Sequence, residues 1–260
     1  MISPQDRLLC NFALAWWIGK DPGARRIAVE SAPVMSSRTD PTEIERLVLA
    51  DQAVPPALAD VVTELRLPRR PLGRLAPLAG LHRLERLNLK LTRITDLGPL
   101  AGLTALRSVV LSFNPIRDLS PLAGLTRLES CLLAGTLVED IAPLAGLTAL
   151  ERLDLGGTNV GDLGPLRGLV RLRSLELAST QVADLSPLAG LAGLEFLDLG
   201  DTPVTDLRPL AGMTCLRQLD LRGTRVTNLS VLAGLPNCRI VPASGLRPRR
   251  ARPGADQRGT

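Results

Sequence analysis

Residues 150–172 read LERLDLGGTNVGDLGPLRGLVRL and contain one complete copy of the pattern that organises the chain. Its apolar positions begin at Leu150, include Leu153 and Leu155, and start again at Leu172, so one unit takes 22 residues. Seven further units begin at the same spacing, without insertion, at Val62, Leu84, Leu106, Leu128, Leu172, Leu194 and Leu216. Eight units therefore cover residues 62–237, and a fixed period of this size predicts a solenoid.

The repeated pattern, L-x-x-L-x-L-x-x-T-x-V/I-x-D-L-x-P-L-x-x-L, resembles the leucine-rich repeat, with Thr where the commonest form has Asn. Its short length and its D-L-x-P-L-A-G-L-T half are similar to the bacterial internalin type and to the regulatory subunit of protein phosphatase 1. The resemblance implies an α/β-type leucine-rich repeat solenoid. Such a fold has a curved parallel β-sheet on its concave face, turns and short 3₁₀ segments on its convex face, and an N-terminal helical cap.

Each part of the unit has its own expected structure. Alternation across L-x-L predicts a short strand with Leu153 and Leu155 inward and Asp154 outward. A recurring Asp precedes Leu-x-Pro, where its carboxylate can accept a backbone N–H two residues on and begin a turn. A recurring Thr, replaced once by Asn114, predicts an inward polar ladder that satisfies loop backbone groups. Both columns therefore receive a structural role.

The N-terminal segment departs from the repeat. Residues 8–19, LLCNFALAWWIG, predict an amphipathic helix that covers the open first end of the solenoid, and a secretory signal is the alternative. We assign residues 1–43 to this cap helix and a linker. Ile44, Leu47 and Leu49 keep the repeat spacing, so residues 44–61 are interpreted as a degenerate first repeat.

The C-terminal segment also leaves the pattern. Residues 238–245 predict a terminal strand or cap, and residues 246–260 an Arg/Pro-rich disordered tail. The last sixteen residues hold five Arg and one Asp, which leaves 26 basic against 25 acidic side chains in the rest of the chain. The high pI is thus due mostly to the tail and gives the repeats no basic face for nucleic acid. The tail itself is either a solvated end or an electrostatic hook for an acidic partner, RNA or an anionic membrane.

The composition offers no constellation for catalysis. There is one His, no Tyr and no nucleophile motif, and the four cysteines lack metal-ligand spacing. Cys131 and Cys238 stand at inward repeat positions and are interpreted as buried apolar residues. The absence of a paired cysteine framework favours a reducing compartment. We expect no enzyme activity, cofactor or metal, a cytoplasmic location, and a monomer without a membrane span.

The outward strand positions are the informative ones, because solenoids bind partners on the concave face. Val110 and Leu132, with Leu91 and Phe113 at strand ends, predict an exposed apolar patch. Four carboxylates follow one strand apart each, and Phe196 is a possible second anchor. The predicted partner-binding residues are Leu91, Val110, Phe113, Leu132, Asp154, Glu176, Phe196, Asp198 and Asp220.

The functional hypothesis is a non-catalytic scaffold whose apolar patch anchors a protein partner and whose acidic column selects a basic stretch. One alternative is that the column is a solvated face left by repeat duplication. The other alternative is a secreted effector or an internalin-like adhesin that recognises a host protein.

Overall fold

The computed structural model describes residues 41–235 and 237–243, and this part of the chain forms one curved parallel sheet. Nine strands of three residues each stack in chain order within it. They are β1 Glu64–Arg66, β2 Arg86–Asn88, β3 Ser108–Val110, β4 Ser130–Leu132, β5 Arg152–Asp154, β6 Ser174–Glu176, β7 Phe196–Asp198, β8 Gln218–Asp220 and β9 Arg239–Val241. The predicted leucine-rich repeat solenoid is confirmed.

Short 3₁₀ helices line the convex side, one after each of the first eight strands. They span Ala76–Leu78, Gly98–Leu100, Ser120–Leu122, Ala142–Leu144, Gly164–Leu166, Ser186–Leu188, Arg208–Leu210 and Ser230–Gly234. The recurring Asp begins them as expected: Oδ1 of Asp162 accepts the N–H of Gly164 at 2.7 Å, and Oδ1 of Asp118 accepts that of Ser120 at 2.8 Å. This acidic column therefore stabilises turns.

Register explains the core. Leu153 lies beside Cys131 on one strand and Leu175 on the other, and all three side chains are fully buried. Because every unit has the same length, the same position falls inward in each strand, and the leucines stack into one continuous core. Cys131 fills such a position, as predicted, whereas Cys238 is half-buried.

A polar ladder runs inside the turns that follow the seven strands β2 to β8. The Thr hydroxyl donates to the carbonyl three residues earlier, at 2.6 Å from Thr158 to Leu155 and from Thr180 to Leu177. Asn114 replaces Thr once, and its Nδ2 donates to the carbonyls of Leu89 and Leu111 at 2.7 Å. The predicted inward ladder is confirmed.

The segment before β1 is helical, which corrects the interpretation of residues 44–61 as a degenerate repeat with a strand. Helix α1 spans Pro41–Leu49, and a short helix α2 spans Pro56–Ala59. Ile44 and Val48 are both 2% exposed, whereas Leu49 points to solvent. The i, i+4 spacing of the two buried residues fits a helix, so α1 rather than a strand packs beside β1.

An N-terminal helix is thus present, but the predicted one at residues 8–19 lies outside the described residues, as does the tail at 246–260. Among the helices of residues 41–235 and 237–243, none has the length and apolar character that crossing a membrane requires.

Candidate functional site

A depression of about 750 Å³ lies on the concave face between β2 and β7. Six of the nine predicted partner-binding residues line it: Val110, Phe113, Leu132, Asp154, Glu176 and Phe196. All six side chains are half-buried. We call this depression the concave groove. Leu91, Asp198 and Asp220 belong to the same outward columns but do not line it.

Val110 and Leu132 form the floor of the groove's apolar part. They lie directly opposite each other on β3 and β4, and Leu132 in turn lies opposite Asp154 on β5. Neighbouring strands in a sheet are about 4.8 Å apart, so an apolar floor changes to a carboxylate within one strand spacing.

Phe113 stands at the edge of this floor in a backbone conformation that bulky residues rarely adopt. Its φ is +60°, and the equivalent positions in the next two units are Gly135 and Gly157, with φ of +64° and +67°. Leu91, one unit earlier, has φ +61°. Left-handed backbone costs a residue with a Cβ on the order of 1 kcal/mol or more, so Phe and Leu are present here against the local preference.

Gly135 makes room for the Phe113 ring. A Cβ at residue 135 would lie 2.5 Å from Cδ1 and 2.8 Å from Cε1 of that ring. A Cβ at Gly157 would have only the backbone of Gly135 near it, at 3.8 Å. The ring therefore lies across the glycine, which fixes its position beside the apolar floor.

Lys90 lies over the Phe113 ring, and the sequence analysis did not single it out. Its Nζ lies 5.2 Å from the centroid of Phe113, within the range of a cation–π interaction. Burial, followed by repulsion from Arg69, lowers the pKa of Lys90, while Asp154 opposes the shift. The presence of Lys among nearly thirty Arg residues was the available signal.

The acidic column is less exposed than predicted. Asp198 and Asp220 are 8% and 4% exposed, because each carboxylate turns back onto its own strand. Oδ1 of Asp198 accepts the N–H of Gly200 at 2.8 Å, and Asp220 accepts the N–H of Arg222 at 3.0 Å and pairs with its guanidinium. These two carboxylates are therefore structural acceptors, and of the four acidic residues only Asp154 and Glu176 line the groove.

Asp154 combines this backbone role with access to the groove. Its Oδ1 accepts the N–H of Gly156 at 2.9 Å. Burial raises the pKa of Asp154 to about 6; the Gly156 N–H and Lys90 favour the charged form, and Asp198 opposes it. A cation brought to this site by a partner would lower that pKa again.

Charged residues just before the strands form the rim of the groove. Glu195 pairs with Arg173 at 2.7 Å and with Arg217 at 3.5 Å. Further along, Arg107 pairs with Glu129 at 2.5 Å and reaches Glu85 at 4.0 Å. Acidic and basic side chains thus pair across neighbouring units, and these pairs neutralise part of the rim.

The charges that line the groove are balanced. Its charged lining consists of three basic and three acidic side chains, Lys90, Arg152, Arg173, Asp154, Glu176 and Glu195. His82 is exposed in a turn before β2. Within the described residues, no group of three or more His, Cys, Asp or Glu side chains is placed to hold a metal ion. The Cys131 thiol is fully buried, and burial raises its pKa to about 12.

The family described as Leucine Rich repeats (2 copies) matches residues 82–124, 148–190, 170–212 and 192–237, together 133 of the 260 residues. The chain belongs to the leucine-rich repeat family. No curated protein sequence matches this leucine-rich repeat protein significantly.

Solved structures add that the repeats are of the internalin-like, bacterial kind. Internalin C2 of Listeria monocytogenes is 30% identical with a TM-score of 0.71, and the match covers 78% of this chain and 91% of that one. The internalin inlF of the same organism is 29% identical with a TM-score of 0.63, covering 76% of this chain and 66% of that one.

A more distant likeness shows the fold alone. It is to the leucine-rich repeat ectodomain of a plant membrane receptor kinase from Arabidopsis thaliana, solved in complex with CASPARIAN STRIP INTEGRITY FACTOR 2. That chain is 19% identical, its TM-score is 0.63, and the match covers 72% of this chain and 25% of that one.

Proposed function

We propose that this leucine-rich repeat protein is a non-catalytic scaffold that binds a protein partner in its concave groove. Leucine-rich repeat proteins generally mediate protein–protein interaction and are generally not enzymes. The proposal adds the location, with Val110, Phe113 and Leu132 as the apolar anchor and Phe196 as a second contact.

The Phe113 ring carries this proposal. Left-handed backbone recurs at this position of the repeat, with Arg69, Leu91, Ser179 and Asp201 at φ of +56° to +61°, so the conformation itself belongs to the fold; a large aromatic ring there is the unusual feature. Here the ring lies across Gly135, below Lys90 and next to Leu132 and Val110. Glycine occupies the equivalent position in the next two units and would relieve the backbone strain. We therefore assign the Phe113 ring a role in binding at the surface rather than in stabilising the fold.

The partner's contact with the rest of the groove follows from its charges. Asp154 and Glu176 lie on adjacent strands directly beyond Leu132. A basic side chain can lay its aliphatic part over Leu132 and bring its charge to these carboxylates, which supports a basic stretch in the partner.

Affinity capture from the native cell tests the proposal. The bait variants are Phe113→Ala and Leu132→Asn, and the matched control is Val170→Asn, which changes an apolar side chain 63% exposed outside the strands. We expect one protein to be captured by the wild type and by the control but not by either groove variant. The purified partner should likewise bind the wild type and the control more tightly than the two groove variants. Capture unaffected by either groove variant would place binding elsewhere and refute the proposal.

A second candidate function is a secreted effector or an internalin-like adhesin that recognises a host protein. The likeness to two Listeria internalins, over about three quarters of this chain, favours it. We propose the cytoplasmic scaffold as the primary function, and cell fractionation separates the two. Recovery of the protein from the cytoplasm supports the first, whereas recovery from the medium or the cell surface supports the second.

A further inference from the structure

Charge is strongly separated along the solenoid, although the whole repeat region is nearly neutral. Residues 62–117 carry ten basic and three acidic side chains, a net charge of +7. Residues 118–237 carry nine basic and fourteen acidic side chains, a net charge of −5. The boundary between the two halves falls between β3 and β4, which is the apolar floor of the concave groove.

The basic half has a cluster on the concave face itself. Arg66 on β1 and Arg86 on β2 point outward, and their side chains are 70% and 59% exposed. Both lie near Glu64, with Arg86 at 3.8 Å from it, so one carboxylate serves two guanidinium groups. Arg69 follows at the end of β1 and is close enough to lower the pKa of Lys90, after the effect of burial. We call Arg66, Arg69 and Arg86 the basic corner.

The acidic half presents Asp154 and Glu176 on the same face, on β5 and β6. Five strand spacings separate β1 from β6, about 24 Å at 4.8 Å each, which about seven residues of extended polypeptide can span. The three zones therefore lie in a line, with the basic corner first, the apolar floor next and the two carboxylates last.

We propose that the occupant of the concave groove is an extended polypeptide segment of a separate partner with segregated charge. Its acidic residues lie over the basic corner, an apolar side chain packs on Phe113 and Leu132, and its basic residues lie over Asp154 and Glu176. This inference rests on the proposed function and specifies the partner of that same site. The charge order also fixes the direction in which the segment crosses the sheet.

Selection from a random twelve-residue peptide library displayed on phage tests the inference, with the full chain as the target. Binders are counted as groove-dependent if they are lost on the double variant Phe113→Ala, Leu132→Asn. We expect them to share an apolar residue flanked by acidic residues on one side and basic residues on the other. Synthetic peptides from the selection should lose about tenfold in affinity for Arg66→Glu, Arg86→Glu, because two exposed ion pairs become repulsive.

The matched control is Arg127→Glu, Arg171→Glu, which makes the same charge change at exposed positions in turns outside the strands. It should leave the affinity nearly unchanged, and circular dichroism should show both double variants folded. If groove-dependent peptides carry an apolar anchor without charge segregation, the inference is wrong while the proposed function stands. If no groove-dependent peptide is selected, both this inference and the proposed function are wrong.

Two other occupants have distinct outcomes. Truncation after residue 245 removes the Arg-rich end of the chain, and a large gain in peptide affinity would assign the carboxylate zone to that segment and overturn the inference. A dimer in sedimentation that dissociates on Leu132→Asn would assign the groove to a second copy and overturn it as well.

Discussion

The position of the Phe113 ring can be tested with two glycines that share a backbone conformation. Gly135→Ala and Gly157→Ala both force Ala into left-handed backbone, at φ of +64° and +67°, which costs each about 1 kcal/mol. Only the Cβ at residue 135 meets the ring, at 2.5 Å. Forcing the ring aside adds about 1–2 kcal/mol, in the range measured for overpacked sites.

Urea unfolding followed by circular dichroism measures this difference. We expect Gly135→Ala to lose about 2–3 kcal/mol and Gly157→Ala about 1 kcal/mol, and we expect Gly135→Ala to lose groove-dependent binding as well. In a Phe113→Ala background the extra cost at residue 135 should disappear, a coupling of about 1–2 kcal/mol. Equal costs for the two glycines, or a cost at residue 135 that persists without the ring, would show that the ring does not lie there.

Three further predictions concern burial and charge. Asp154→Asn should stabilise the protein by about 1–2 kcal/mol at pH 8, since burial raises the pKa of Asp154 to about 6 and disfavours its charged form. The gain should fall as the pH drops through about 6 and vanish by about pH 3, where the carboxyl is protonated in both the folded and the unfolded chain; urea titrations at pH 8 and pH 3 measure it. Thr158→Val should lower the free energy of unfolding by about 1 kcal/mol, because the carbonyl of Leu155 loses the shorter of its two hydrogen bonds and keeps only the N–H of residue 158 at 3.2 Å; a neutral result in the same assay would mean that this remaining bond is sufficient. Leu153→Asn, at a buried core position, should lower the free energy of unfolding by at least about 4 kcal/mol. Leu132→Asn, at a half-buried position, should lower it by about 1 kcal/mol. Similar losses for the two variants would contradict the strand register.

The repeat made most of the fold predictable. Because every unit has the same length, each position of the repeat has the same orientation in every unit. Identifying one inward leucine therefore identifies the whole column of inward residues. The acidic turn column and the Thr ladder followed from the same argument, because their short side chains can reach only backbone groups nearby. The apolar part of the candidate site was predictable for a related reason, since Val110 and Leu132 break a polar outward column.

The errors occurred where two patterns share the same residues. Ile44, Leu47 and Leu49 fit the strand spacing, but Ile44 and Val48 fit a helix equally well, and packing beside β1 decided between them. The burial of Asp198 had a signal that was not used: it precedes Gly200 by two residues, the same spacing at which the turn aspartates accept an N–H. For the contact between Lys90 and Phe113 the only sequence signal was the rarity of Lys, and it did not give the contact, because a strand end in left-handed backbone redirects its side chain.

Site-specific photo-crosslinking in the native cell tests the central claim most directly. A benzoylphenylalanine at residue 132 places the reactive group in the concave groove, and one at residue 170 places it on an exposed turn as a control. The account predicts one protein adduct from residue 132 that is absent from residue 170 and disappears when Phe113→Ala is added. An adduct from residue 170 alone, or adducts from residue 132 that Phe113→Ala leaves unchanged, would contradict binding in the groove.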